Sequence, residues 1–228
     1  MNYGLNRGGR GLMMGGGLSN AVRMIIAWNV IFFLFQFMSP QLLSPLLLSR
    51  DGVLHGQIWQ FVTYMFLHGG PFHLIINMLI LWMFGSELEY LWGTRRFVKY
   101  YFFTGVGAGI VTVLTSASPT LGASGAVFGM LLAYGLTFPD RPVLLYFLFP
   151  IKAKYFVIIL GLIDLFAALS GSNDNVAHTA HLGGLLFGWV YLKGIPGMGF
   201  YQKAKRERQK KKFRVIEFRD QDNDDTNK

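Results

Sequence analysis

Six stretches of this chain, at about 21 to 38, 71 to 91, 97 to 115, 122 to 138, 154 to 170 and 177 to 194, are strongly apolar. A helix needs about 20 apolar residues to cross the hydrocarbon core of a bilayer, and these runs approach that length. Several are short or broken by glycine, which suits helices packed against one another better than isolated anchors. The pattern predicts an all-α membrane protein with a bundle of six transmembrane helices over residues 21 to 194. Composition agrees: of 228 residues 52% are apolar, 14% are charged and 21 are phenylalanine. Cysteine is absent, which excludes a disulfide framework and thiol chemistry.

The segments outside the spans set the orientation. Residues 1 to 20 read as a flexible, glycine-rich cytoplasmic N-terminus without a cleavable signal, so the first apolar run is a retained span. Residues 39 to 70 are too apolar for a free loop and too broken by Pro40 and Pro45 for a span. They form a long interfacial loop between the first and second helices, with Trp59 and Tyr64 suited to the membrane boundary. With six spans, 20 of the 21 lysines and arginines fall on the side that carries both termini, and only Arg50 falls opposite. That side is therefore cytoplasmic. Residues 195 to 228 form a charged cytoplasmic tail without fixed structure, basic over 203 to 214 and then acidic. Its basic run would gain about 1 kcal/mol per charge beside anionic lipid. The bilayer is thus an expected partner, and nucleic acid is not.

Polar groups inside spans are costly and mark function by default. The sequence GASGAVFG at 122 to 129 sets Ser124 among Gly122, Gly125 and Gly129, in the first turn of the fourth span. Small residues four apart are a device for close helix contact in lipid, and the same spacing would house a reactive serine. The stretch is not the nucleophile elbow of soluble hydrolases, which requires glycine where Ala126 stands. His73 and Asn77 open the second span on one face, and His178 and His181 open the sixth. All three helix starts lie at the outer side, so these groups share a depth within about 10 Å of it. A serine hydroxyl becomes a nucleophile when a histidine within reach takes its proton. The Ser124 amide, the Asn77 side chain and His73 are candidate donors to the resulting oxyanion.

These residues resemble the rhomboid family of intramembrane serine proteases over nearly all of 20 to 195. The resemblance is carried by Trp59 with Gln60, the run HLIINM at 73 to 78, Glu89 with Gly93, GASGAVFG, and AHLGG at 180 to 184. It implies a six-helix rhomboid fold that cuts membrane protein substrates, single-span or multi-span, in or near their transmembrane segments. Ser124 would be the nucleophile and His181 its base, in a dyad without a carboxylate. His73, Asn77 and the Ser124 amide would form the oxyanion hole. Phe128 would pack on His181 where relatives often have tyrosine. Gly122, Gly125, Gly184 and Gly188 would allow close approach around the dyad. The fifth helix and residues 171 to 176 would act as gate and cap. A bacterial plasma membrane is the expected location.

The chain departs from the family where Gln60 stands in place of an arginine, and in carrying a second histidine, His178. Only His181 has the glycine three residues on that the family requires, so it is the expected base. No HExxH motif accompanies the histidines, and neither metal nor cofactor is expected. Asp164, alone in the fifth span, is assigned to the bundle interior without a specific role. Glycines 105, 107 and 109 read as helix packing rather than a nucleotide loop. His55 and His68 read as interfacial. The rival function is that of an inactive rhomboid-like protein that binds membrane clients. A transporter would need polar groups continuing across the membrane, whereas these gather near one face.

Overall fold

Each apolar stretch coincides with a helix: α1 (Asn20–Met38), α2 (Pro71–Trp92), α3 (Thr94–Thr115), α4 (Ser124–Thr137), α5 (Ala153–Ser170) and α6 (His178–Gly194). The computed structural model describes residues 17–145, 149–170 and 178–194, so the expectations for the N-terminus through residue 16, the cap at 171–176 and the tail lie outside the described residues. By length and hydropathy α1, α2, α3 and α5 are sufficient to cross a membrane. The other two are shorter, 14 residues in α4 and 17 in α6.

The outer helices turn large apolar side chains outward, and the inner helices meet one another through small residues. α3, α4 and α6 form the centre, with Tyr100, Tyr101, Phe97 and Met130 fully buried among them. α1 and α5 lie outside and expose rows of large side chains, Ile158, Ile159, Leu162, Ile163 and Phe166 on α5 among them. The glycines of α3 act in packing: a Cβ on Gly107 would run into Phe187, and one on Gly109 would press on Leu48 and Phe61.

The segment between α1 and α2 is more ordered than an interfacial loop, being built from short helical turns at Pro40–Leu46, Arg50–Leu54, Gln60–Thr63 and Tyr64–Phe66. Gln60 is buried, accepts from the Ser49 amide at 3.0 Å, and donates to Gln57 at 2.6 Å. Trp59 donates to the Pro45 carbonyl at 2.8 Å. Arg50, the one basic residue expected on the outer side, donates to the Val113 and Leu114 carbonyls at the end of α3. Those carbonyls have no intrahelical partner, so the cation satisfies them and the helix dipole together. Tyr64 is not interfacial as expected. It is buried, with its hydroxyl on the Gly105 carbonyl at 2.6 Å.

A hairpin, β1 (Pro142–Leu145) with β2 (Phe149–Lys152), departs from the all-α expectation. Pro142 and Pro150 bar a helix there, and a two-stranded sheet consists only of edges, where proline costs no ladder bond.

Glu89 anchors the opposite end of the bundle from the polar helix starts. It is buried, and its carboxylate accepts from Ser19 Oγ at 2.5 Å, Thr94 Oγ1 at 2.6 Å, and the Ala21 and Val22 amides at 3.0 Å. The start of α1 thereby finds an acceptor and a negative charge. Gly93 follows at φ 79°, the left-handed turn that sends the chain into α3. Glu89→Ala orphans those donors, and we expect it to lower unfolding stability by roughly 3 kcal/mol. Equilibrium unfolding in detergent measures this, and an unchanged transition would remove the anchoring role.

Candidate active site

Ser124 stands at the first residue of α4 because the chain before it cannot be helical. Gly122 has φ 126°, its amide donates to the Tyr64 carbonyl at 2.9 Å, and a Cβ on it would lie 2.9 Å from His73 Cε1. Both the backbone angle and the space call for glycine. The first amides of α4 have no acceptor within the helix, so positive potential gathers at Ser124.

α6 meets α4 through small residues. A Cβ on Gly184 would overlap the Gly125 carbonyl, and one on Gly188 would lie 2.7 Å from the Tyr100 hydroxyl and 3.3 Å from Gly129. On its other side α4 is equally close to α3, since a Cβ on Gly129 would lie 2.6 Å from Thr104. The same glycines that allow helix contact therefore also set the distance between the two chemical groups.

That distance is 2.8 Å from Ser124 Oγ to His181 Nε2. Phe128, one turn after Ser124, stacks on the imidazole at 4.1 Å between centroids and 6° between planes. His181 is 8% exposed, so its ring is fixed in plane and almost dry.

His73 borders the serine across Gly122. The Gly69 amide donates to His73 Nδ1 at 3.3 Å, so in the neutral ring Nε2 carries the proton. Nε2 and Ser124 Oγ both border the point where a Gly122 Cβ would stand, at 3.2 and 3.7 Å. Asn77 is buried and gives one amide proton to the His73 carbonyl at 2.8 Å, leaving its second.

His68 differs from its expected interfacial position, being fully buried with its ring 5.0 Å from that of His73. Burial first, and then the neighbouring His73, push its pKa down to about 4 from the usual 6.5. The unfolded chain therefore takes up this proton first as pH falls. Folding stability is complete above about pH 6.5 and declines toward pH 4, by at most about 1.4 kcal/mol per pH unit for one proton. Thermal unfolding between pH 7 and 4.5 is expected to show a shallower decline for His68→Leu than for the parent. Equal slopes would contradict the assignment.

Asp164, which the sequence left in the bundle interior without a specific role, lies beside both histidines of α6. It is 5% exposed, and its Oδ1 lies 2.9 Å from His181 Nδ1 and 2.5 Å from His178 Nδ1. The expectation of a dyad with no carboxylate beside it does not match this geometry. A signal existed in helical spacing: α5 buries only Ala153, Val157 and Asp164, so the aspartate lies on its inward stripe. Donor atoms of Asp164, His178 and His181 all lie within 4.8 Å, which among the described residues makes this trio the group that could hold a metal ion. The two shortest separations are hydrogen-bond distances, below the ~3.3 Å between donors sharing a tetrahedral zinc ion.

Residues 55–195 match the Rhomboid domain family. The chain is 33% identical over 155 residues to Rhomboid protease GluP of Bacillus subtilis, covering 66% of this chain and 29% of that protein. It is 30% identical over 178 residues to Putative rhomboid protease YdcA of the same organism, covering 74% of this chain and 85% of the other. To Rhomboid protein 1, mitochondrial, of Saccharomyces cerevisiae it is 33% identical over 142 residues, covering 57% and 41%. The match therefore spans less than half the length of the first and third of these relatives. Taken with the apolar helices, these matches establish that the chain is an integral membrane protein and belongs to the rhomboid family.

Proposed function

We propose that this chain is an intramembrane serine endopeptidase. It hydrolyses peptide bonds in or near the transmembrane segments of membrane proteins. The observation that carries this reading is the 2.8 Å contact between Ser124 Oγ and His181 Nε2 at the start of two abutting helices. His181 takes the serine proton as Oγ adds to the substrate carbonyl, and returns it to the leaving amine as the acyl-enzyme forms. Water then enters by the same route and releases the acid. The oxyanion would be met by the Ser124 amide, His73 Nε2–H and the second Asn77 proton, and losing one such donor typically costs about 2.7 to 4 kcal/mol of transition-state stabilisation.

In this reading all six helices cross the membrane, both termini are cytoplasmic, and the site opens toward the outer face of a bacterial plasma membrane. Substrates carry helix-weakening residues, because an intact transmembrane helix keeps its carbonyls hydrogen-bonded. No metal or cofactor takes part. The test is cleavage of a single-span model substrate by purified protein in detergent. Cleavage that disappears in Ser124→Ala and in His181→Ala supports the reading. A parent protein that binds such substrates and cuts none would favour client binding instead.

A further inference from the structure

Asp164 lies on α5, whereas the serine and the histidine come from α4 and α6, so the carboxylate reaches the pair from a third helix. An ionised carboxylate can only accept hydrogen bonds. With Asp164 ionised, the His181 and His178 nitrogens that face it at 2.9 and 2.5 Å are both protonated Nδ1 atoms. For His181 this leaves the lone pair on Nε2, the atom 2.8 Å from Ser124 Oγ. Stacking on Phe128 already fixes the plane of the ring. What stacking cannot fix is which nitrogen carries the proton, and that decides whether the ring can accept another from serine.

We propose that Asp164 is a positioning residue for His181: it holds the base in its Nδ1-protonated form and faces the positive charge that appears when Nε2 takes the serine proton. The proposal rests on the protease reading for its kinetic part only. His178 braces the carboxylate by donating to the same oxygen, which supplies a partner to a buried anion that would otherwise be costly. The arrangement also makes α5 part of the site. Its other buried residues, Ala153 and Val157, lie toward the opposite end of the helix, so Asp164 ties the nearer end to α6. Among the described residues, the titratable groups that face His181 are Asp164 from α5, His178 from its own helix, Ser124 from α4 and His73 from α2.

The test uses the full chain in detergent. Nitrogen NMR of the histidine rings, with the His181 signals assigned by substitution, is expected to find a proton on His181 Nδ1 in the parent and in Ser124→Ala. Asp164→Ala is expected to lose that preference. In turnover, Asp164→Asn keeps the volume and removes the charge. It is expected to lower kcat by about 10²-fold or more with KM within about two-fold. Asp164→Glu recovers part of the rate. An unprotonated Nδ1 in the parent, or a parental kcat in Asp164→Asn, would each overturn the proposal. The ring measurement needs no turnover, so a protein that cuts no substrate would lose the protease reading and still decide the role of Asp164.

Discussion

Ser124→Ala and His181→Ala are each expected to lower the cleavage rate by about 10⁴-fold or more, and the double variant is expected to be no slower than either. The two side chains act as one unit: without the hydroxyl there is nothing for the base to activate, and without the base the hydroxyl keeps its proton. Single-turnover rates on one substrate, compared across the parent, both single variants and the double, decide the matter. Losses that multiply in the double variant would mean that the groups act independently, in spite of the 2.8 Å contact. Ser124→Ala leaves the packing between α4 and α6 in place, whereas His181→Ala also removes the stack on Phe128, so rates are compared on protein shown to be folded.

The second large effect is one of distance. Gly184→Val places a branched side chain where the Gly125 carbonyl already stands, in a contact made of backbone on both sides. Overpacking commonly costs about 1–3 kcal/mol where side chains can shift, and here no side chain can give way, so the upper end or beyond is expected. Activity should suffer more than stability. A displacement of about 1 Å between reacting groups can cost 10²-fold, and moving α6 off α4 carries His181 away from Ser124. We therefore expect at least about a 10²-fold loss of cleavage in whatever protein still folds. Gly161→Ala is the control: its added methyl meets only the end of the Leu185 side chain, at 3.2 Å. Parental activity in Gly184→Val, measured on folded protein, would show that the close approach does not set the dyad.

The helices were legible because hydropathy is a property of runs, and in lipid a run of apolar residues has few ways to satisfy its backbone other than as a helix. Ser124, His73, Asn77 and the histidines of α6 were legible for the complementary reason. They are polar groups in places where polarity is expensive, and helix counting alone put them at one depth. What escaped was relational. Asp164 was visible as an anomaly, but its partners lie 14 and 17 residues away across a segment whose path no periodicity specifies. Tyr64 and His68 carry the composition of an interface, and only tertiary packing buries them, Tyr64 against the Gly105 carbonyl of α3 and His68 beside Gln36 of α1 and His73 of α2. The hairpin after α4 depends on two prolines whose effect is to forbid a helix rather than to demand a strand. Gln60, a departure from the family pattern, is accommodated by a close fit: a Cβ on Gly52 would lie 2.5 Å from its amide. The segment is thus anchored by a neutral side chain.

The most direct test of the central claim is to treat the purified chain with a fluorophosphonate and map the adduct by mass spectrometry. Ser124 paired with His181 is expected to be the modified residue, with labelling lost in His181→Ala. An adduct on another serine, or none on a protein that is folded, would contradict the assignment of Ser124 as an activated nucleophile.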